Sequence, residues 1–213
     1  YQNHRENQLE RILEAAEALF IQEGIDNVSL SAIASAARLS RKTLYVYFSN
    51  KEDIAWAIMQ NLVDEKTTDM VLPQIPEGSG FQRVEFYMLH MVNRLVTYPE
   101  HMRFISEFST LYAREGEPTR VRQMFARGGK VLNQMIQQGI EDGSIRPDVE
   151  QKRLTTAILN LVSGMNCRFA LLGDQISQEY DQPVMDIYRD ICRIFLRGIQ
   201  SSPCSSGTCG MKE

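Results

Sequence analysis

Leu9, Ile12, Leu13, Ala16, Leu19 and Phe20 recur at three- and four-residue intervals, the spacing that lines one face of an α-helix, and predict a first helix ending near Gly24. Ser29 then precedes a short run with Leu30, Ile33, Ala34 and Ala37, and its hydroxyl is suited to accept from the free amides of a first helical turn. Ser40 stands in the same relation to a second short helix holding Leu44 and Phe48. Asn50 opens a longer helix with Ile54, Ala57, Ile58 and Leu62 inward. No proline occurs before Pro73 and no glycine between Gly24 and Gly78, so little interrupts the helices of this stretch.

The segment Pro73 to Gly80 concentrates helix breakers and reads as a boundary. Beyond it the pattern predicts helices over 81–97, 99–113, 118–142, 148–173 and 183–200, punctuated by Pro99, Pro118, Gly143 with Pro147, and the stretch from Gly173 to Pro183. No strand-period alternation competes, and the fold class expected is all-α with about nine helices. Residues 1–50 form a three-helix unit, 51–200 a larger helical part entered through a connecting helix at 51–72, and 201–213 a flexible tail too polar to pack.

The 213 residues are 43% hydrophobic and 23% charged, which supports a globular core and excludes a fibrous or wholly disordered chain. No apolar run reaches the length of a membrane span, and the first twenty residues are charged and amphipathic rather than signal-like, so a soluble, cytoplasmic protein without a membrane partner is expected. Four cysteines are too few for a disulfide scaffold. The net charge of −4 argues at first against a nucleic-acid partner.

Counting by segment reverses that inference. From Val28 to Lys51 the chain carries Arg38, Arg41, Lys42 and Lys51 and no acid, a local charge of +4. The two short helices, joined by a tight turn at Arg38, Leu39 and Ser40, make a helix-turn-helix pattern. In the second, Arg41-Lys-Thr-Leu-Tyr-Val-Tyr47, packing requires only Leu44 with Phe48, which leaves cations and hydroxyls to meet base edges and phosphates in a major groove. Amides at the helix starts marked by Ser29 and Ser40 suit phosphate oxygens. The plainer reading is a polar helix that merely closes the domain.

At these residues the sequence resembles the TetR family of bacterial transcriptional regulators. The matching text is Ala15-Ala-Glu-Ala-Leu-Phe-Ile-Gln-Glu-Gly24, Val28-Ser-Leu-Ser-Ala-Ile-Ala-Ser-Ala-Ala37, and Leu39-Ser-Arg-Lys-Thr-Leu-Tyr-Val-Tyr-Phe-Ser-Asn-Lys-Glu-Asp53. The resemblance is close over residues 9–60 and architectural beyond. It implies phosphate contacts from Ser29, Tyr47 and Lys51, and base or phosphate contacts from Arg41, Lys42, Thr43 and Tyr45. One departure is Arg38, at a turn position that is usually glycine in the family. If the backbone keeps a positive φ there, the turn is strained. Arg38 either adds a phosphate contact or is simply solvated.

In the second part, the helix with Phe81, Val84, Met88, Leu89, Met91, Val92, Leu95 and Val96 is apolar around most of its circumference and should be central. Aromatic and methionine stripes there line an adaptable cavity or are plain core. The resemblance implies a small-molecule effector site, lined by Met59, Leu62, Met88, Leu89, Phe104, Phe108, Tyr112, Met124, Phe125 and Met135, whose occupation moves the fourth helix and respaces two DNA-reading heads. No cluster of buried-looking charge is evident, so an apolar or aromatic effector is expected. His90 shares a helical face with Arg83, Tyr87 and Arg94, which reads as a solvated or hydrogen-bonded face.

The last two helices carry apolar residues on both flanks. Leu154, Ile158, Leu161 and Met165, with Ile187, Ile191 and Ile194, are the stripe expected at a homodimer interface, against a thick monomeric bundle as the alternative. Histidines and cysteines show no metal-ligand spacing, and no metal or cofactor is expected. Cys204 and Cys209 in the tail suit a reversible disulfide or an ordinary reduced pair. No nucleophile, base and acid constellation suggests an enzyme. The expected function is a repressor that binds a palindromic operator DNA as a homodimer and is released by a small effector. A helical small-molecule-binding protein or enzyme that leaves DNA alone is the rival, as is a regulator without an effector.

Overall fold

The computed structural model describes residues 2–63, 74–115 and 118–201, without the side chains at positions 2, 3, 63, 115, 118, 120–122 and 124–128. Among the described residues the chain forms nine α-helices and no strand. These are α1 (Gln2–Glu23), α2 (Leu30–Ala36), α3 (Arg41–Tyr47), α4 (Lys51–Val63), α5 (Gly80–Thr97), α6 (Pro99–Glu115), α7 (Pro118–Glu141), α8 (Gln151–Tyr180) and α9 (Val184–Ile199). The second half of the expected connecting helix and nearly all of the tail, with Cys204 and Cys209, lie outside the described residues.

The first core gathers α1 to α4 with α6. Ile12, Ala16 and Phe20 on α1 are fully buried at four-residue intervals, and Ile33, Leu44 and Ile54 meet them from α2, α3 and α4. Gly24, at φ 82°, ends α1. On α4, Trp56 lies edge-on to Phe108 of α6 with ring centroids 4.7 Å apart, while Phe20 stacks on Phe104 at 6.3 Å. Helix α6 therefore ties the larger part of the chain to the first three helices. Two polar contacts follow the same seam: His101 faces Glu17 at 3.4 Å, and Arg114 donates to both carboxylate oxygens of Asp26 at 2.8 and 3.1 Å. Burial raises the Glu17 pKa despite the opposing pull of His101, whereas the Arg114 hydrogen bond lowers that of Asp26.

The second core joins α5, α7, α8 and α9, with Val84, Met88, Met91, Ile136, Ile158, Val162 and Tyr188 at its centre. The start of α5 crosses the end of α7 with no side chain between them. Ser79 and Gln82 form a capping box, Gly80 donates to Asp142 at 2.7 Å, and Phe81 donates to Ser144 at 3.0 Å. The orphan amides of that first turn are thus satisfied by the helix against which it packs.

Helix α8 is longer than the sequence pattern predicts. Its start is capped by Glu150, which accepts from Lys152 and Arg153. It continues through Gly173 to Tyr180 and ends at Asp181, whose φ of 48° breaks the helix two residues before Pro183. An internal glycine costs a helix only about 1 kcal/mol relative to alanine, and burying Phe169 and Ile176 on either side outweighs it.

Candidate nucleic-acid interface

The two short helices are built as the sequence predicts. Ser29 accepts from the amide of Ala32 at 3.1 Å and Ser40 from that of Thr43 at 3.0 Å. Neither helix has an acid in its first turn. Helix α2 ends in a Schellman motif: Arg38 donates to the carbonyl of Ser35 at 3.0 Å and Leu39 to that of Ala34 at 2.9 Å. Arg38 supplies the left-handed residue of that motif, with φ 54°.

The motif is braced from α1. Arg11 donates through Nη2 to the carbonyl of Ala37 at 2.5 Å, placing a guanidinium on the carbonyl-rich end of α2. Sequence reasoning missed Arg11, because nothing local links it to a carbonyl 26 positions later. Replacing Arg38 by glycine is expected to relieve the positive φ and to stabilise the chain by about 1 kcal/mol, after the larger entropy of unfolded glycine is subtracted. For a domain of this size that is a melting temperature higher by roughly 2–4 °C. A thermal melt showing no rise would mean that the turn carries no strain.

On α3, Leu44 is sealed in the core, whereas Arg41, Lys42, Tyr45 and Val46 are exposed and Thr43 is half-buried. Tyr45 and Val46 are 57% and 66% exposed, large side chains that packing among the described residues does not cover. Ser29 and Ser40 are exposed at the two helix starts. Tyr47 and Lys51 are held more closely. The Tyr47 hydroxyl donates to Gln8 at 2.8 Å and its ring lies under Arg5 at 5.9 Å, while the Lys51 ammonium donates to the carbonyl of Asp26 at 2.6 Å. A phosphate contact donated by Tyr47 requires it to exchange that bond, whereas the Lys51 ammonium has further donors to spare.

The residues expected to line an effector cavity do not come together as one lining. Met59, Leu62, Phe104 and Phe108 belong to the first core and Tyr112 packs on its edge; Met88 and Met135 belong to the second. Leu89 is exposed, and the side chains of Met124 and Phe125 lie outside the described residues. The reason is α6: its aromatic stripe turns toward Phe20 and Trp56. The expected dimer stripe divides similarly. Leu154 and Ile158 are core residues of the single chain. Leu161, Met165, Ile187 and Ile191 are half-buried, and Ile194 is 71% exposed. The face of Arg83, Tyr87, His90 and Arg94 is not solvated either, since Tyr87 is buried and the other three are only partly exposed.

No group of three metal-ligating side chains converges among the described residues, and none of their helices is long and apolar enough to cross a membrane. Burial pushes the Cys192 thiol up to about 11, which leaves it protonated and unreactive in the core.

A helix-turn-helix whose second helix offers cations and hydroxyls to solvent, carried on a larger all-helical part, defines a DNA-binding transcriptional regulator. Residues 12–58 match the family model of bacterial regulatory proteins, tetR family. An uncharacterised HTH-type transcriptional regulator of Bacillus subtilis, YdeS, is 24% identical over 193 residues, spanning 90% of this chain and 89% of the relative. Among solved structures, a transcriptional regulator from Saccharomonospora viridis in complex with choline superposes with a TM-score of 0.72 at 20% identity, covering 95% of this chain and all of the other. The regulator FadR from Bacillus subtilis in complex with stearoyl-CoA superposes with a TM-score of 0.67 at 14% identity, covering 90% and 99%. The helix-turn-helix part of the chain, residues 12–58, is thus similar to that of the bacterial regulatory proteins of the tetR family, and the whole chain shares the fold of such regulators.

Proposed function

We propose that the chain is a cytoplasmic repressor that binds a palindromic operator as a homodimer and is released by a small molecule. Residues 1–50 are the DNA-binding head, and residues 51–200 bind the effector and dimerise. The observation that carries this reading is the outer surface of α3, where Arg41, Lys42 and Tyr45 are exposed beside a Ser40-capped helix start with no acid in its first turn. In a major groove, Arg41 and Lys42 suit guanine edges or phosphates, the hydroxyls of Ser29, Ser40, Thr43 and Tyr45 suit phosphates or bases, and Val46 suits a thymine methyl. Lys51 and, once released from Gln8, Tyr47 complete the phosphate contacts.

One seven-residue helix reads few base pairs, so two copies are needed for a specific site. The open flank of α8 and α9, with Leu161, Met165, Ile187, Ile191 and the 71% exposed Ile194, supports pairing through a four-helix interface. In this reading the effector binds within the second core, and the adaptable side chains of Met88 and Met135 in that core support it. Two relatives of the same fold carry small molecules, choline in one and stearoyl-CoA in the other.

Electrophoretic retardation of pooled genomic fragments tests the reading. With six to ten phosphates contacted per dimer, affinity is expected to fall by roughly 10³–10⁵ between 50 and 200 mM salt. Sedimentation of the same protein should give twice the monomer mass. Absence of retardation at low salt would refute the DNA-binding reading.

A further inference from the structure

The second core holds a charge that its neighbours do not neutralise. Arg94 lies in the last turn of α5 with its side chain largely buried; Nε is sealed from solvent without an acceptor, and Nη1 meets only the thioether of Met91, at 3.3 Å. Among the described residues, the groups that act on the guanidinium are the phenols of Tyr87, Tyr188 and Tyr98, with no carboxylate among them. Burial lowers its pKa, but an arginine starts so high that it stays charged. Buried arginines are ordinarily held by a carboxylate, because an unpaired charge in a core is costly. The carbonyl-rich end of α5 offsets only a small part of that cost.

The same core holds further buried polar groups on α8 and α9. Tyr188 donates to the carbonyl of Val162 at 3.2 Å, and one helical turn further along α8 the buried Oδ1 of Asn166 has no donor. Met88, Met91, Val162 and Phe169 are buried in the same core, Met91 against Arg94 and Val162 and Phe169 against Tyr188. An open basic cleft of about 1140 Å³ lined by Arg146, Arg193 and Arg197 differs in kind, since Arg146 is paired with Asp148 and Arg193 with Asp190.

We propose that the effector of this regulator is an amphipathic carboxylate, its head received by the Arg94 guanidinium and its hydrocarbon body lying among the methionines and aromatics of the second core. The proposal rests on that core being the effector site. The planar fork of arginine matches a carboxylate with two parallel hydrogen bonds. One guanidinium balances one negative charge, which favours a carboxylate over a dianionic phosphate. A neutral ligand would leave Arg94 uncompensated, and a quaternary ammonium would add a like charge beside it. The apolar effector expected from the sequence thereby gains a charged head.

The test uses the full chain without DNA and matched straight-chain probes of six to twelve carbons, below their micellar concentrations: carboxylates, primary alcohols and trimethylammonium salts, titrated calorimetrically. The best carboxylate should bind roughly 10–100-fold tighter than its matched alcohol, the difference expected for a charge-assisted hydrogen-bonded pair. Arg94→Met should abolish that difference while leaving alcohol binding unchanged. Without ligand, the same variant should melt several degrees above the native chain, because it removes an uncompensated charge. Alcohols binding as tightly as carboxylates would overturn the anionic head while leaving the effector site standing. A series in which no carboxylate binds, or an unliganded Arg94→Met that melts lower, would overturn the proposal and leave the DNA-binding reading untouched.

Discussion

Replacing Gly80 by alanine is expected to cost about 3 kcal/mol or more of stability and to lower the melting temperature by roughly 6–12 °C, although the change adds one methyl group. Gly80 opens α5 where that helix crosses α7 backbone to backbone. A Cβ there would lie 2.0 Å from the amide nitrogen of Gly139, 2.3 Å from its Cα and 2.6 Å from the carbonyl oxygen of Met135. None of these is a side chain that can swing away, so the two helices must part by more than an ångström. Their separation would also stretch the bonds from Gly80 to Asp142 and from Phe81 to Ser144, exposing amides that the seam now satisfies. At Gly139 the added methyl would meet the Ile145 side chain at 2.5 and 2.6 Å and the Gly80 backbone only at 3.2 Å, so Gly139→Ala should be the milder variant. Thermal unfolding followed by circular dichroism distinguishes them. A Gly80→Ala protein that melts with the native chain would mean that the two helices have room for a methyl group at their crossing.

The helix-turn-helix was legible because its determinants are local. Ser29 and Ser40 lie next to the amides they accept from, and Leu44 is the buried residue in a short polar helix, so spacing suffices to place them. The break of α8 was misplaced at Gly173 because a glycine's helix cost is small beside the packing of Phe169 and Ile176, and packing is not local information. The same limit separates stripe from partner. Phe104 and Phe108 are correctly inward, but no periodicity could say that they face Phe20 and Trp56 rather than a ligand. Arg94 shows the limit most sharply, since its charge and its neighbours Arg83 and His90 suggest a wet face, whereas the packing of α5 turns it into the core. Arg38 is the converse case: an unusual residue at a turn position announced a positive φ, and the backbone has it.

The acidic chain as a whole and its basic helix-turn-helix make opposite statements about DNA, and the local one decides specificity. Arg41 and Lys42 are exposed in the first turn of α3, where a helix entering the major groove brings its N-terminal side chains to the bases. A bidentate base contact is worth about 1–3 kcal/mol, so Arg41→Ala should weaken binding of a recovered operator roughly 10–100-fold and relax its sequence preference at one position per half-site. If Lys42 instead meets a phosphate, Lys42→Ala should weaken all sequences alike and reduce the salt slope by about 1 for each phosphate that is no longer neutralised. Both side chains are solvent-exposed and lie outside the core, so neither change should alter the fold.

Fluorescence anisotropy of that operator, titrated with the native chain and with the Arg41→Ala, Lys42→Ala protein, tests most directly whether α3 reads DNA. A loss of about 100-fold or more, with an unchanged circular dichroism spectrum and melting temperature, is the predicted result. Native affinity in the folded double variant would contradict the assignment of α3 as the helix that reads DNA.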